Sequence, residues 1–129
     1  MTAGPTVARV LRFDPGAEYD TPERCFIVEL SNTPEDPALS IARARVAPGV
    51  TTRWHRVAGT AERYVILEGH GRFEAENMAP QEVAPGDVVL IPAACAQRIA
   101  NIGAEDLVFL ALCTPRFWPE NYADADAGA

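Results

Sequence analysis

The chain has no long apolar run, no paired-cysteine spacing and no excess of positive charge, and each shortage closes off a class of function. No uninterrupted apolar stretch approaches the roughly 18 residues that a membrane-crossing helix needs, so no membrane partner is expected. Three cysteines, Cys25, Cys95 and Cys113, are an odd number without C-x-x-C spacing. That pattern fits neither a disulfide framework nor a zinc finger, and reduced thiols in a cytoplasm are the expectation. The start, Met1 to Pro5, lacks a basic region followed by an apolar one, so no secretory leader is expected. A net charge of −7 opposes phosphate backbones and anionic lipid, which excludes nucleic acid as an expected partner.

Long helices are also missing. No segment before the C-terminus sustains a 3.6-residue apolar period, while eleven prolines and nine glycines interrupt the chain at short intervals. Turn chemistry falls at Asp14-Pro15-Gly16, Asn32 to Pro37, Ala47-Pro48-Gly49, Glu68 to Gly71, Met78-Ala79-Pro80, Ala84 to Asp87 and Asn101 to Asp106. Between these turns lie short runs rich in β-branched and bulky residues: 7–13, 24–30, 39–46, 63–67, 88–91, 97–101 and 107–113. Seven or more short strands predict an all-β sandwich or barrel. At 129 residues and 48% apolar content, one domain with one core is expected over 1–129. The small, acidic residues 123–129 are expected to fray.

Two spaced motifs carry a resemblance. Gly49, His55, Glu62 and Gly69 fall at the spacings of the first motif of the cupin superfamily, G-x5-H-x-H-x(3–4)-E-x6-G, with Val57 at the second histidine position. Gly86, Pro92 and Asn101 match the second, G-x5-P-x-G-x2-H-x3-N, with Ala94 in place of the glycine and Gln97 in place of the histidine. The resemblance covers about residues 38–116, with N-terminal strands expected within 1–37. It implies a double-stranded β-helix, the jelly-roll cupin barrel, and pairing of two copies as a homodimer.

Side chains alternate faces along a strand, so His55 pairs with Val57, Glu62 with Tyr64 and Ile66, and Gln97 with Ile99. The alignment implies that these faces point into the barrel and form an apolar pocket with a few convergent polar groups. His55, Glu62 and Tyr64 are the candidate catalytic residues. Gln97, Arg53, Val57, Ile66, Ile99 and Cys113 are the candidate substrate contacts.

The family's three histidines and one glutamate hold a divalent transition metal, Zn, Fe, Mn, Ni or Cu. Here any metal would rest on His55, Glu62 and Gln97, of which an amide oxygen is a weak ligand. Without metal, a buried Glu62 would have its charged form disfavoured, which suits acid–base chemistry beside an imidazole.

The resemblance thus points to a non-oxidative isomerase, cyclase or lyase acting on a small oxygenated molecule. A non-catalytic ligand-binding protein and a metal-dependent dioxygenase stand as alternatives, since fold alone decides little about reaction. Arg43, Arg45 and Arg53 could bind an anionic substrate or form ordinary ion pairs. His70, in a Gly-His-Gly turn, is expected at the surface, and Trp54 and Trp118 are expected to pack or to meet a second copy.

Overall fold

The structure, a computed structural model, describes residues 4–126. Eleven strands run in the order β1 (Tyr19–Asp20), β2 (Phe26–Ser31), β3 (Ser40–Val46), β4 (His55–Val57), β5 (Ala61–Glu68), β6 (Gly71–Ala75), β7 (Gln81–Val83), β8 (Val88–Ile91), β9 (Gln97–Asn101), β10 (Leu107–Thr114) and β11 (Tyr122–Asp124). They form a six-stranded sheet, β1-β2-β3-β10-β5-β8, and a five-stranded sheet, β11-β4-β9-β6-β7. From β3 onward the chain crosses between the two sheets at every step except β6 to β7, which makes the double-stranded β-helix that the motifs imply.

Both sheets turn one face inward. Along β5 the inward set is Glu62, Tyr64 and Ile66, and along β9 it is Gln97, Ile99 and Asn101, buried in alternation with more exposed residues within each strand. Tyr64, Ile66, Phe73, Ile99, Leu107 and Phe109 make up much of the core. Burial of such side chains contributes about 1.5–3 kcal/mol each, which offsets the entropy of fixing so many short connections. Gly69 links β5 to β6 at φ +83°, and a Cβ there would lie 2.5 Å from the Asp106 carbonyl oxygen. Only glycine fits that approach of two backbones.

Two expectations from the sequence need correction. Residues 7–13 form no strand; Val7, Val10 and Phe13 are exposed, and Phe13 lies against the Arg43 guanidinium. Apolar, β-branched residues are insufficient without a neighbour, and the edge of the sheet is already taken by β1 pairing with β2. The expected N-terminal strands are therefore β1 and β2 alone. Of the tail expected to fray, Ala123 and Asp124 instead belong to β11, which pairs with β4 through Tyr122–Val57, Ala123–Arg56 and Asp124–His55. Ion pairs from Arg53 to Asp124 and Asp126 hold that end down. Residues 127–129 lie outside the described residues. No helix among the described residues is long and apolar enough to cross a membrane.

Candidate functional site

Five side chains meet inside the barrel because strand register puts them there. His55 on β4 stands directly opposite Gln97 on β9. In the other sheet, Glu62 on β5 stands directly opposite Cys113 on β10, with Tyr64 one inward position along. The two pairs face each other across the space between the sheets, where His55, Glu62, Tyr64 and Cys113 border a cavity of about 100 Å³.

Gln97, with no exposed surface, links the group. His55 Nδ1 lies 2.9 Å from the carbonyl oxygen of Arg53, which can only accept, so Nδ1 carries the proton and Nε2 presents a lone pair. That lone pair accepts from the Gln97 amide nitrogen at 2.8 Å. The same nitrogen donates to Glu62 Oε1 at 3.1 Å, and the Tyr64 hydroxyl donates to Gln97 Oε1 at 3.0 Å. Every polar atom of the Gln97 side chain is engaged. Tyr122 on β11 stacks on the His55 ring, with centroids 5.2 Å apart.

Glu62 has one oxygen fixed and one free to act. Oε2 has only the Cys113 thiol, at 3.8 Å, a long contact to a weak donor. Burial pushes the Glu62 carboxyl above its ordinary range; His55 opposes the shift, and the carboxylate of Glu23 adds to it. Burial likewise raises Glu23, again opposed by His55. The thiols of Cys25 and Cys113 are pushed up to about 12, chiefly by burial. Tyr64 is raised well above its usual value by burial, so its hydroxyl keeps its proton.

Not all of the expected residues reach the cavity. His55, Val57, Glu62, Tyr64, Ile99 and Cys113 line it, while Gln97 sits behind His55 and Glu62 and holds both. Ile66 is packed in the core instead. Arg53 turns outward to Asp124, and Arg43 and Arg45 are ion-paired with Glu18, so none of the three lines the cavity. Tyr64 offers the cavity its ring and spends its hydroxyl on Gln97, which makes it a positioning residue. His70 is exposed, and Trp54 and Trp118 lie under the guanidinium groups of Arg98 and Arg116. The motifs did not point to Tyr19, Glu23, Glu29, Phe117 and Tyr122, which come to the wall from β1, β2 and the C-terminal segment.

A divalent metal does not fit this donor set. Val57 has no donor atom, Gln97 turns its NH₂ rather than its oxygen toward His55 and Glu62, and that NH₂ occupies the only lone pair of the imidazole. Among the described residues, no three His, Cys, Asp or Glu side chains are grouped to hold an ion.

A family model described as the cupin domain matches residues 42–113. An uncharacterized protein of Methanocaldococcus jannaschii is 35% identical over 82 residues, 64% of this chain and 65% of that protein. An oxalate-binding protein of Thermotoga maritima is 35% identical over 71 residues, 55% of this chain and 58% of that one. The matches thus span less than two thirds of either relative. Among solved structures, KdgF from a Halomonas species superposes with a TM-score of 0.73 at 16% identity, covering 84% of this chain and 96% of that one.

Proposed function

Because this chain belongs to the cupin domain family, we propose that its barrel cavity binds a small oxygenated organic molecule and moves a proton on it without oxidation, as an isomerase, cyclase or lyase does. The observation that carries this reading is Glu62: it lines the cavity, one carboxylate oxygen is anchored by Gln97, the other has only the distant Cys113 thiol, and burial raises the group's pKa, which suits a group that takes and returns a proton. The C–H bond next to a substrate carbonyl breaks, its proton passes to Glu62 Oε2, and the electron pair moves onto the carbonyl oxygen as an enolate. Return of the proton to a neighbouring carbon gives isomerisation, and loss of a β-substituent gives elimination. His55, Gln97 and Tyr64 hold the carboxylate in place.

The lack of a fitting metal donor set speaks against the dioxygenase alternative. Oxalate, which names one relative, is not carried over, because no arginine among the described residues lines the cavity while Glu23, Glu29 and Glu62 do. With no lysine in the sequence, no side-chain amine is there to form an imine.

Deuterium exchange tests the reading without a known substrate. Hydroxyacetone, acetoin and aminoacetone are incubated with the protein in D₂O and followed by proton NMR. Exchange at the carbon beside the carbonyl is expected above the buffer rate for at least one, and Glu62→Gln should abolish it. Exchange that persists in a folded Glu62→Gln protein would overturn the assignment. Binding without exchange would favour the second reading, a non-catalytic binder, which is supported by the closed hydrogen-bond network around Gln97.

A further inference from the structure

The cavity is one-sided in charge. Glu62 faces it from β5, Glu23 from the segment before β2 and Glu29 from β2, with His55 opposite. Among the described residues no arginine lines it, and the chain has no lysine, its eleven basic residues all being arginines. The arginines around the barrel are engaged elsewhere: Arg45 with Glu18 and Asp106, Arg53 with Asp124, Arg56 with Glu76, and Arg98 with Glu74. Arg116 binds Asn32 and lies over Trp118, and its charge opposes the raised carboxyl of Glu29.

Two further features favour a cation. Glu62 lines the cavity and is more than nine-tenths buried, yet its second oxygen meets no donor other than the distant Cys113 thiol. A buried carboxylate in that position is electrostatically incomplete, and a positive ligand group would complete it. The wall also presents the rings of Tyr19, Tyr64, Phe109, Phe117 and Tyr122, whose faces attract ammonium groups. Burial raises the carboxyls of Glu23 and Glu62, and His55 is the one group among the lining residues that opposes both shifts.

We propose, resting on the reading that this cavity is a small-molecule site, that its ligand carries a protonated amine, seated between Glu62 and the rim carboxylates Glu23 and Glu29 against the aromatic wall, and that carboxylate ligands are rejected. A cavity of about 100 Å³ limits the ligand to a few heavy atoms beyond the amine. The rim favours Glu23 over Glu29, because Glu29 already shares Asn32 and the field of Arg116.

The test uses three probes of one shape, n-butylamine, 1-butanol and butyrate, titrated into isotope-labelled protein at neutral pH and followed by two-dimensional nitrogen–proton NMR. Butylamine should perturb the signals of Glu62, Gln97 and Tyr122 and bind at least about thirtyfold more tightly than butyrate, since like charges brought together cost several kcal/mol. Glu23→Gln should weaken butylamine about threefold to tenfold more than it weakens butanol. Butyrate binding as tightly as butylamine, or a Glu23→Gln protein that keeps full amine affinity, overturns the charge assignment while leaving a small-molecule site in place. No perturbation of cavity residues by any of the three overturns both the inference and the reading beneath it.

Discussion

Replacing Gln97 with leucine should reveal how much of the barrel's stability depends on one amide. Leucine has nearly the same volume, so little is lost in packing, but three polar atoms are stranded at once: His55 Nε2, Glu62 Oε1 and the Tyr64 hydroxyl, now held at 2.8, 3.1 and 3.0 Å. Each buried group left without a partner costs about 1–3 kcal/mol, and because the three share one partner the losses overlap. A total of about 3–6 kcal/mol is expected, a large part of the roughly 5–15 kcal/mol that holds a domain together. Urea unfolding followed by the fluorescence of Trp54 and Trp118 measures it as a lower midpoint at unchanged slope. Chelator in the buffer should move neither the wild-type nor the variant midpoint. A loss below about 1 kcal/mol, or a wild-type midpoint that falls with chelator, would refute the account of Gln97 as an anchor rather than a ligand.

Glu62 and Glu23 bind a proton more tightly folded than unfolded, so their contribution to stability is present below the unfolded value of 4.5 and lost as pH rises through the higher folded one. Unfolding midpoints taken across that range should therefore favour Glu62→Gln over wild type increasingly as pH rises, and the opposite trend would contradict the assignment. Ala94 sits at φ +64°, left-handed backbone that costs a Cβ about 1 kcal/mol, so Ala94→Gly should raise stability by about 0.5–1 kcal/mol in the same assay. With their thiols raised to about 12, Cys25 and Cys113 should resist a disulfide reagent at mildly alkaline pH while half-buried Cys95 reacts, and fast labelling of native Cys113 would count against its burial. If two copies pair through the outer face of the six-stranded sheet, where Val88 and Leu90 of edge strand β8 are 56% and 73% exposed, Leu90→Lys should yield a monomer in sedimentation; an unchanged sedimentation coefficient discards that face.

Much of the barrel was legible because turn chemistry is local. Pro85-Gly86 and Pro92 bracket β8 at the residues expected, and period-two alternation put Glu62, Tyr64 and Ile66 on one face and Gln97 and Ile99 on another, which the family resemblance implied were the inward ones. Strands of two or three residues such as β1, β4, β7 and β11 are too short to show alternation, and only their partners define them. The run 7–13 illustrates the converse, apolar and β-branched but without a neighbour to pair with. In the site, motif spacing led to His55, Glu62 and Gln97 but not to which way the Gln97 amide turns. That depends on a carbonyl two residues before His55 in the sequence and a hydroxyl on another sheet. Glu23 and Tyr122 carry no motif and reach the cavity only through tertiary packing.

The wall of the cavity is assembled from two sources. His55, Glu62, Tyr64, Ile99 and Cys113 belong to the segment 42–113 that the family shares, whereas Tyr19, Glu23, Glu29, Phe117 and Tyr122 come from the flanks on either side of it. The inner chemistry and the rim that selects what reaches it can therefore diverge independently. Relatives that agree across the shared segment can keep the same reactive carboxylate and admit quite different guests, so inheritance of ligand should be judged on the flanks, where a domain-level match has nothing to say.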